Sequence, residues 1–196
     1  MKFVNFLTLL IFSLSLLSCE SNENYILSPN HQIKNTSDSS NIRFDIGIDL
    51  LDLNDIIVIK TINGVEGGLI TIDTVLIGSQ GETITIQASL QIDPNSFNDV
   101  RQIRMIANPN NASIQFFPEM AFNNPVKLDL FFSGINLSNL GFDSNCKVDF
   151  VYISDEGVIE FILKDEVKIK WDTQELEVKK AYLPHFSRYG FVRKSL

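Results

Sequence analysis

The feature that most constrains this chain is an apolar period of two. Phe44, Ile46, Ile48 and Leu50 alternate with Asp45, Gly47 and Asp49. Ile84, Ile86 and Ala88 alternate with Thr83, Thr85 and Gln87. Val126, Leu128 and Leu130 alternate with Lys127 and Asp129, and Val167, Ile169 and Trp171 with Lys168, Lys170 and Asp172. Successive side chains of a strand point to opposite faces, so each such segment buries one face and solvates the other. Turn signals separate the runs: Asn63-Gly64, Gly78 to Gly81, Asp93-Pro94-Asn95, Asn108-Pro109-Asn110, Asn123-Asn124-Pro125, Ser133-Gly134 and Asp155-Glu156-Gly157. Short strands with frequent turns predict an all-β, antiparallel β-sandwich or barrel over residues 42–194. Residues 42–60 fit a hairpin turning at Asn54-Asp55 that pairs with the main sheet.

The first 41 residues follow other rules. Lys2 precedes an apolar run from Phe3 to Leu17, then Ser18 and Cys19. A charged start, a run shorter than the roughly 20 residues of a spanning helix, and a small residue at its end form a secretory leader. Leu16-Leu17-Ser18-Cys19 resembles the lipobox of bacterial lipoproteins. That resemblance implies cleavage after residue 18, a signal peptide over 1–18, and lipidation of Cys19 as the mature N-terminus. Residues 19–41 are polar, small and charged without an apolar period, which predicts a flexible tether a few tens of ångströms long. Glu20 and Glu23 lie close to the lipid site and resemble surface-export signals of some Gram-negative lipoproteins. The expected location is the outer membrane or cell surface of a Gram-negative bacterium, with the membrane held through the N-terminal lipid.

Charge narrows the partners. The chain carries 16 Lys and Arg against 24 Asp and Glu, a formal charge of −8, and losing Lys2 with the leader makes it more negative. Phosphate backbones need concentrated basic surface, so no nucleic-acid partner is expected. With Cys19 lipidated, Cys146 has no disulfide partner within the chain, and it reads as a small hydrophobe ahead of a strand.

Four phrases resemble ZU5 domains. Gly67-Gly68-Leu69-Ile70-Thr71 is similar to their opening, and Leu90-Gln91-Ile92-Asp93-Pro94-Asn95-Ser96-Phe97 to the strand and turn that follow. The segment from Phe117-Pro118 through Phe122 to Pro125-Val126-Lys127-Leu128 resembles their centre. His185-Phe186-Ser187-Arg188-Tyr189-Gly190 resembles the close of bacterial ZU5-like proteins. Asn95-Ser96 stands where the family has Gly-Ala. Over residues 65–192 the resemblance implies a ZU5-like β-sandwich interaction module without catalytic chemistry.

Residues that would carry chemistry read more plainly as structure. His185 and Ser187 share a strand face but no nucleophile elbow surrounds them, so His185 is expected to hydrogen-bond backbone at a strand corner while Phe186 and Tyr189 fill the core edge. His31 falls in the tether. Asp45, Asp49, Asp52 and Asp55 alternate with core residues rather than following calcium-loop spacing. Asp155, Glu156, Asp165 and Glu166 are turn residues around the strand Val158 to Leu163. Asp73-Thr74-Val75 resembles a short O-glycosylation motif of envelope proteins. Phe116-Phe117 and Phe131-Phe132 are adjacent, so one member of each pair turns outward on a strand. The expectation is that both faces are covered. Trp171 continues the inward set of Val167 and Ile169 and is expected in the core. No catalytic residue, metal or cofactor is expected. Two functions follow: a non-enzymatic envelope lipoprotein that supports or recognises another envelope protein, or a surface glycan-binding lipoprotein on the same scaffold. With one Trp and four Tyr for an aromatic platform, the first is favoured.

Overall fold

The structure, a computed structural model, describes residues 25–26, 55–78 and 80–194. Among these residues there is no helix. Ten strands form one antiparallel sheet, so the all-β antiparallel expectation is met as a single hydrogen-bonded sheet. The strands are β1 (Tyr25–Ile26), β2 (Ile56–Asn63), β3 (Gly68–Ile77), β4 (Thr83–Ile92), β5 (Val100–Asn108), β6 (Ser113–Ser133), β7 (Lys147–Ile153), β8 (Ile159–Phe161), β9 (Glu166–Lys170) and β10 (Glu175–Lys194).

Two strands organise the rest. β6 has 21 residues and β10 has 20, and they pair antiparallel along most of their length. Each changes its outer partner midway. The first part of β6 pairs with β5, up to Phe117 opposite Arg104; its last part pairs with β4, from Lys127 opposite Gln91. β10 pairs with β9 over Glu175 to Lys179 and with β7 over Arg188 to Lys194. Two arms result. The first holds β2, β5, β7 and β8; the second holds β3, β4 and β9; β6 and β10 run through both.

Proline marks the crossing in both long strands. Pro118 and Pro125 of β6 and Pro184 of β10 are exposed and sit where the outer partner is changing. A proline has no N–H to give a ladder, so it is tolerated where that ladder is interrupted. Asn123-Asn124-Pro125 is therefore part of β6 rather than the turn its composition suggests. The connection between β4 and β5 fills the gap beside it. The Asn123 N–H donates to the Ser96 carbonyl at 2.8 Å, and the Asn123 amide to the Asn95 carbonyl at 3.2 Å.

The period of two decides what lies inside. Ile86, Ala88 and Leu90 of β4, Val126, Leu128 and Leu130 of β6, and Leu176 and Val178 of β10 are all buried. They join Ile103 and Met105 from β5 and Phe150 from β7 in one core shared by both arms. The Phe132 ring of the second arm meets Phe191 of the first edge-on, with centroids 6.4 Å apart. The segment after β6 closes one end with Ile135, Leu137, Leu140 and Phe142. Burying each such side chain contributes about 1.5–3 kcal/mol.

Some expectations change. Trp171 is half-buried, in the turn after β9 rather than in a strand, because β9 ends at Lys170 and the chain reverses there. The Gln174 N–H and its side-chain amide both donate to the Trp171 carbonyl, at 3.2 and 2.7 Å. Tyr25–Ile26, within the expected tether, pairs with Arg193 and Lys194 at the end of β10. The leader over 1–18, Cys19, the rest of the tether and residues 42–54 of the expected 42–60 hairpin lie outside the described residues, while residues 56–60 of that hairpin fall in β2, which pairs with β5.

Candidate functional site

Two concave surfaces lie along the paired strands β6 and β10. The first is a cleft of about 410 Å³ beside the segments where β6 and β10 change outer partner, lined by Glu119, Tyr152, Asp155, Glu156, His185 and Ser187. His185 is half-buried with its ring edge-on to Tyr152, centroids 4.7 Å apart. The hydrogen bond at this corner runs through Tyr189, whose hydroxyl donates to the His185 carbonyl at 2.6 Å. Burial raises the Tyr189 phenol well above its usual range, so it stays protonated and keeps donating. Phe186 and Tyr189 are buried, as expected. Arg188 reaches from β10 to the Ser154 carbonyl at 3.1 Å and ties the β7–β8 turn to the cleft. Desolvation lowers its guanidinium pKa, partly offset by Asp155.

The second is a groove of about 520 Å³ on the outer face of the second arm. Register builds it. Asp73 of β3 lies opposite Gln87 of β4, Gln87 opposite Phe131 of β6, and Phe131 opposite Glu177 of β10. The next row runs from Thr71 through Ser89 to Asp129. All of these are non-core positions of the period-two pattern, so they share one face. The Gln87 amide donates to Asp73 at 3.1 Å, and Glu177 pairs with Lys179 at 3.3 Å. The Lys180 N–H donates to Asp129 at 2.8 Å, where β10 bulges between Val178 and Ala181.

The two phenylalanine pairs divide as alternation requires. Phe116 and Phe132 are fully buried, while Phe117 and Phe131 are half-buried on the opposite face. The Arg104 guanidinium covers Phe117, 4.5 Å from the ring centroid. Phe131 sits within the polar groove. Covering of both faces is thus complete for the inner rings and partial for the outer ones.

The other singled-out residues have structural surroundings. Cys146 is half-buried against the core. Thr74 faces inward on β3 with Ile70 and Ile72 and is half-buried, an awkward position for a glycan. Asp45, Asp49 and Asp52 lie outside the described residues. Among the described residues no group of three or more His, Cys, Asp or Glu is arranged to hold a metal ion. Compared with models of protein families, with curated proteins and with solved structures, the chain matches none of them.

Proposed function

We propose that this chain is a non-enzymatic lipoprotein of the cell envelope, anchored through Cys19 at the outer membrane or cell surface of a Gram-negative bacterium. Its domain, a ZU5-like β-sandwich in this reading, holds or recognises another envelope component. The observation that carries the recognition role is the form of the larger groove. It is an open sheet face of polar groups around one ring, built on the internal strands β4, β6 and β10 and on the edge strand β3. Such a surface suits contact with a partner more than enclosure of a reacting molecule. The leader-like segment and the resemblance of Leu16 to Cys19 to a lipobox support the anchor.

The test has two arms. Cells fed a fatty-acid analogue should label the wild-type chain and not Cys19→Ser; equal labelling of both contradicts the anchor. Cross-linking in intact cells, then purification in detergent, should recover the chain with a discrete envelope component; recovery of the chain alone contradicts the recognition role. A second reading, surface glycan binding, is favoured by one observation: Phe131 lies half-buried among amide, hydroxyl and carboxylate side chains.

A further inference from the structure

We infer that the outer face of the second arm binds a neutral oligosaccharide, with one sugar ring lying on Phe131. This rests on the second reading above, surface glycan binding, and names its ligand class and its contacts.

β4 is flanked by β3 and β6, β6 by β4 and β10, and β10 at this level by β6 and β9. Their backbone donors and acceptors are therefore engaged within the sheet. A peptide that adds itself as a strand needs a free edge, and the middle of this face has none. A ligand seated here is read by side chains. Those side chains combine one apolar ring with a planar amide at Gln87, a hydroxyl at Ser89 and carboxylates at Asp129 and Glu177.

A pyranose ring matches that combination. Its C–H face packs on an aromatic ring, and its rim of hydroxyls donates and accepts hydrogen bonds. Phe131 has no polar atom, so it supplies the stacking surface and its neighbours supply the polar contacts. Asp73 holds the Gln87 amide by one N–H. A second N–H and the amide oxygen remain as a donor and acceptor pair of the kind a vicinal diol meets. The row from Asp73 to Glu177 crosses three strand spacings, about 14 Å, enough for a short chain of sugars rather than one.

Charge sets the class. Asp73, Asp129 and Glu177 outnumber Lys179 among the groove's charged groups, so it repels a uronate or a phosphorylated glycan. Asp129 and Glu177 are themselves held, by the Lys180 N–H and the Lys179 ammonium, so the polar frame is set before a ligand arrives.

The experiment uses the full-length chain in detergent micelles, titrated calorimetrically with neutral gluco-, manno-, galacto- and xylo-tetrasaccharides and with tetragalacturonate. At least one neutral tetrasaccharide should bind. Phe131→Ala should weaken it about three- to tenfold, the loss that follows from removing a ring-stacking contact. Gln87→Ala should weaken it measurably, Phe131→Tyr should retain it, and tetragalacturonate should bind more weakly. Circular dichroism shows whether each variant keeps its sheet; should Phe131→Ala fail to fold, Phe131→Tyr and Gln87→Ala still decide. Failure of every neutral tetrasaccharide to bind overturns the inference, as does binding unaffected by Phe131→Ala and Gln87→Ala. If the chain cross-links to an envelope protein yet binds no oligosaccharide, the inference falls and the recognition reading stands. If a bound tetrasaccharide is cleaved, the non-enzymatic reading falls and the groove stands as the binding site.

Discussion

The ring of Phe116 lies stacked on that of Phe186, centroids 5.1 Å apart and planes 12° apart. Phe116 precedes Pro118 of β6 and Phe186 follows Pro184 of β10, so the pair bolts the two long strands together where their outer partners change. Phe122 meets the same Phe186 ring edge-on at 4.7 Å. Phe186→Ala should therefore cost about 3–5 kcal/mol, the range for truncating a buried ring. Trp171→Ala should cost less, about 1–2 kcal/mol, because that side chain is half-buried at the core edge. Urea melts of the two variants check this; equal losses would contradict the different roles of the two rings.

Tyr189→Phe should cost about 1–3 kcal/mol at neutral pH, because it removes the donor to the His185 carbonyl. The pH dependence follows from the direction of the shift. Burial raises the folded-state pKa of Tyr189 above its ordinary value of 10.0. The stability linked to it is present below that value and lost as pH rises past it. Melts above pH 10 should show the wild type losing its advantage over Tyr189→Phe. A constant difference across that range would contradict a buried, protonated phenol.

Asp93 behaves in the opposite sense. The Lys127 ammonium hydrogen-bonds it at 2.6 Å and holds its carboxyl below the ordinary value of 3.8, against a smaller desolvation effect. The linked stability is present above pH 3.8 and lost as pH falls below it. The side chain is 35% exposed, so solvent screening keeps the effect under about 1 kcal/mol. Asp93→Asn should destabilise slightly at pH 7 and not at all near pH 2, read by the shift in thermal midpoint at each pH. An undiminished loss at pH 2 would show that the ion pair is not its source.

Gly67 ends the β2–β3 turn with a φ of +74°, and a Cβ there would collide with the Ile92 carbonyl. A left-handed conformation strains any residue with a side chain, and backbone cannot move aside cheaply. Gly67→Ala should cost about 1–3 kcal/mol in a denaturant melt. A neutral outcome would contradict the clash with the Ile92 carbonyl.

Much of the fold is legible in the alternation because period two is a property of one strand at a time. Ile86 and Ala88, and Val126, Leu128 and Leu130, lie on the core face where the alternation puts them. What alternation cannot carry is which strands meet. Asn123-Asn124-Pro125 reads as a turn because proline and asparagine usually end strands, yet β6 passes through them where its ladder is interrupted. Trp171 continues a strand pattern, but the reversal at residues 171–174 takes it out of the strand. The groove was hidden for the same reason. Phe131 stands out locally as half of a pair, whereas its alignment with Gln87, Asp73 and Glu177 follows from long-range register.

β6 and β10 run through both arms and give them one core. Native-state hydrogen exchange on wild type and Phe186→Ala tests this most directly, because amides that open together report one cooperative unit. The slowest amides should lie along β6 and β10 in both arms, and Phe186→Ala should lower protection by the same free energy in β4 and β5 alike. Two sets of amides with separate opening energies, only one of them shifted by Phe186→Ala, would contradict it.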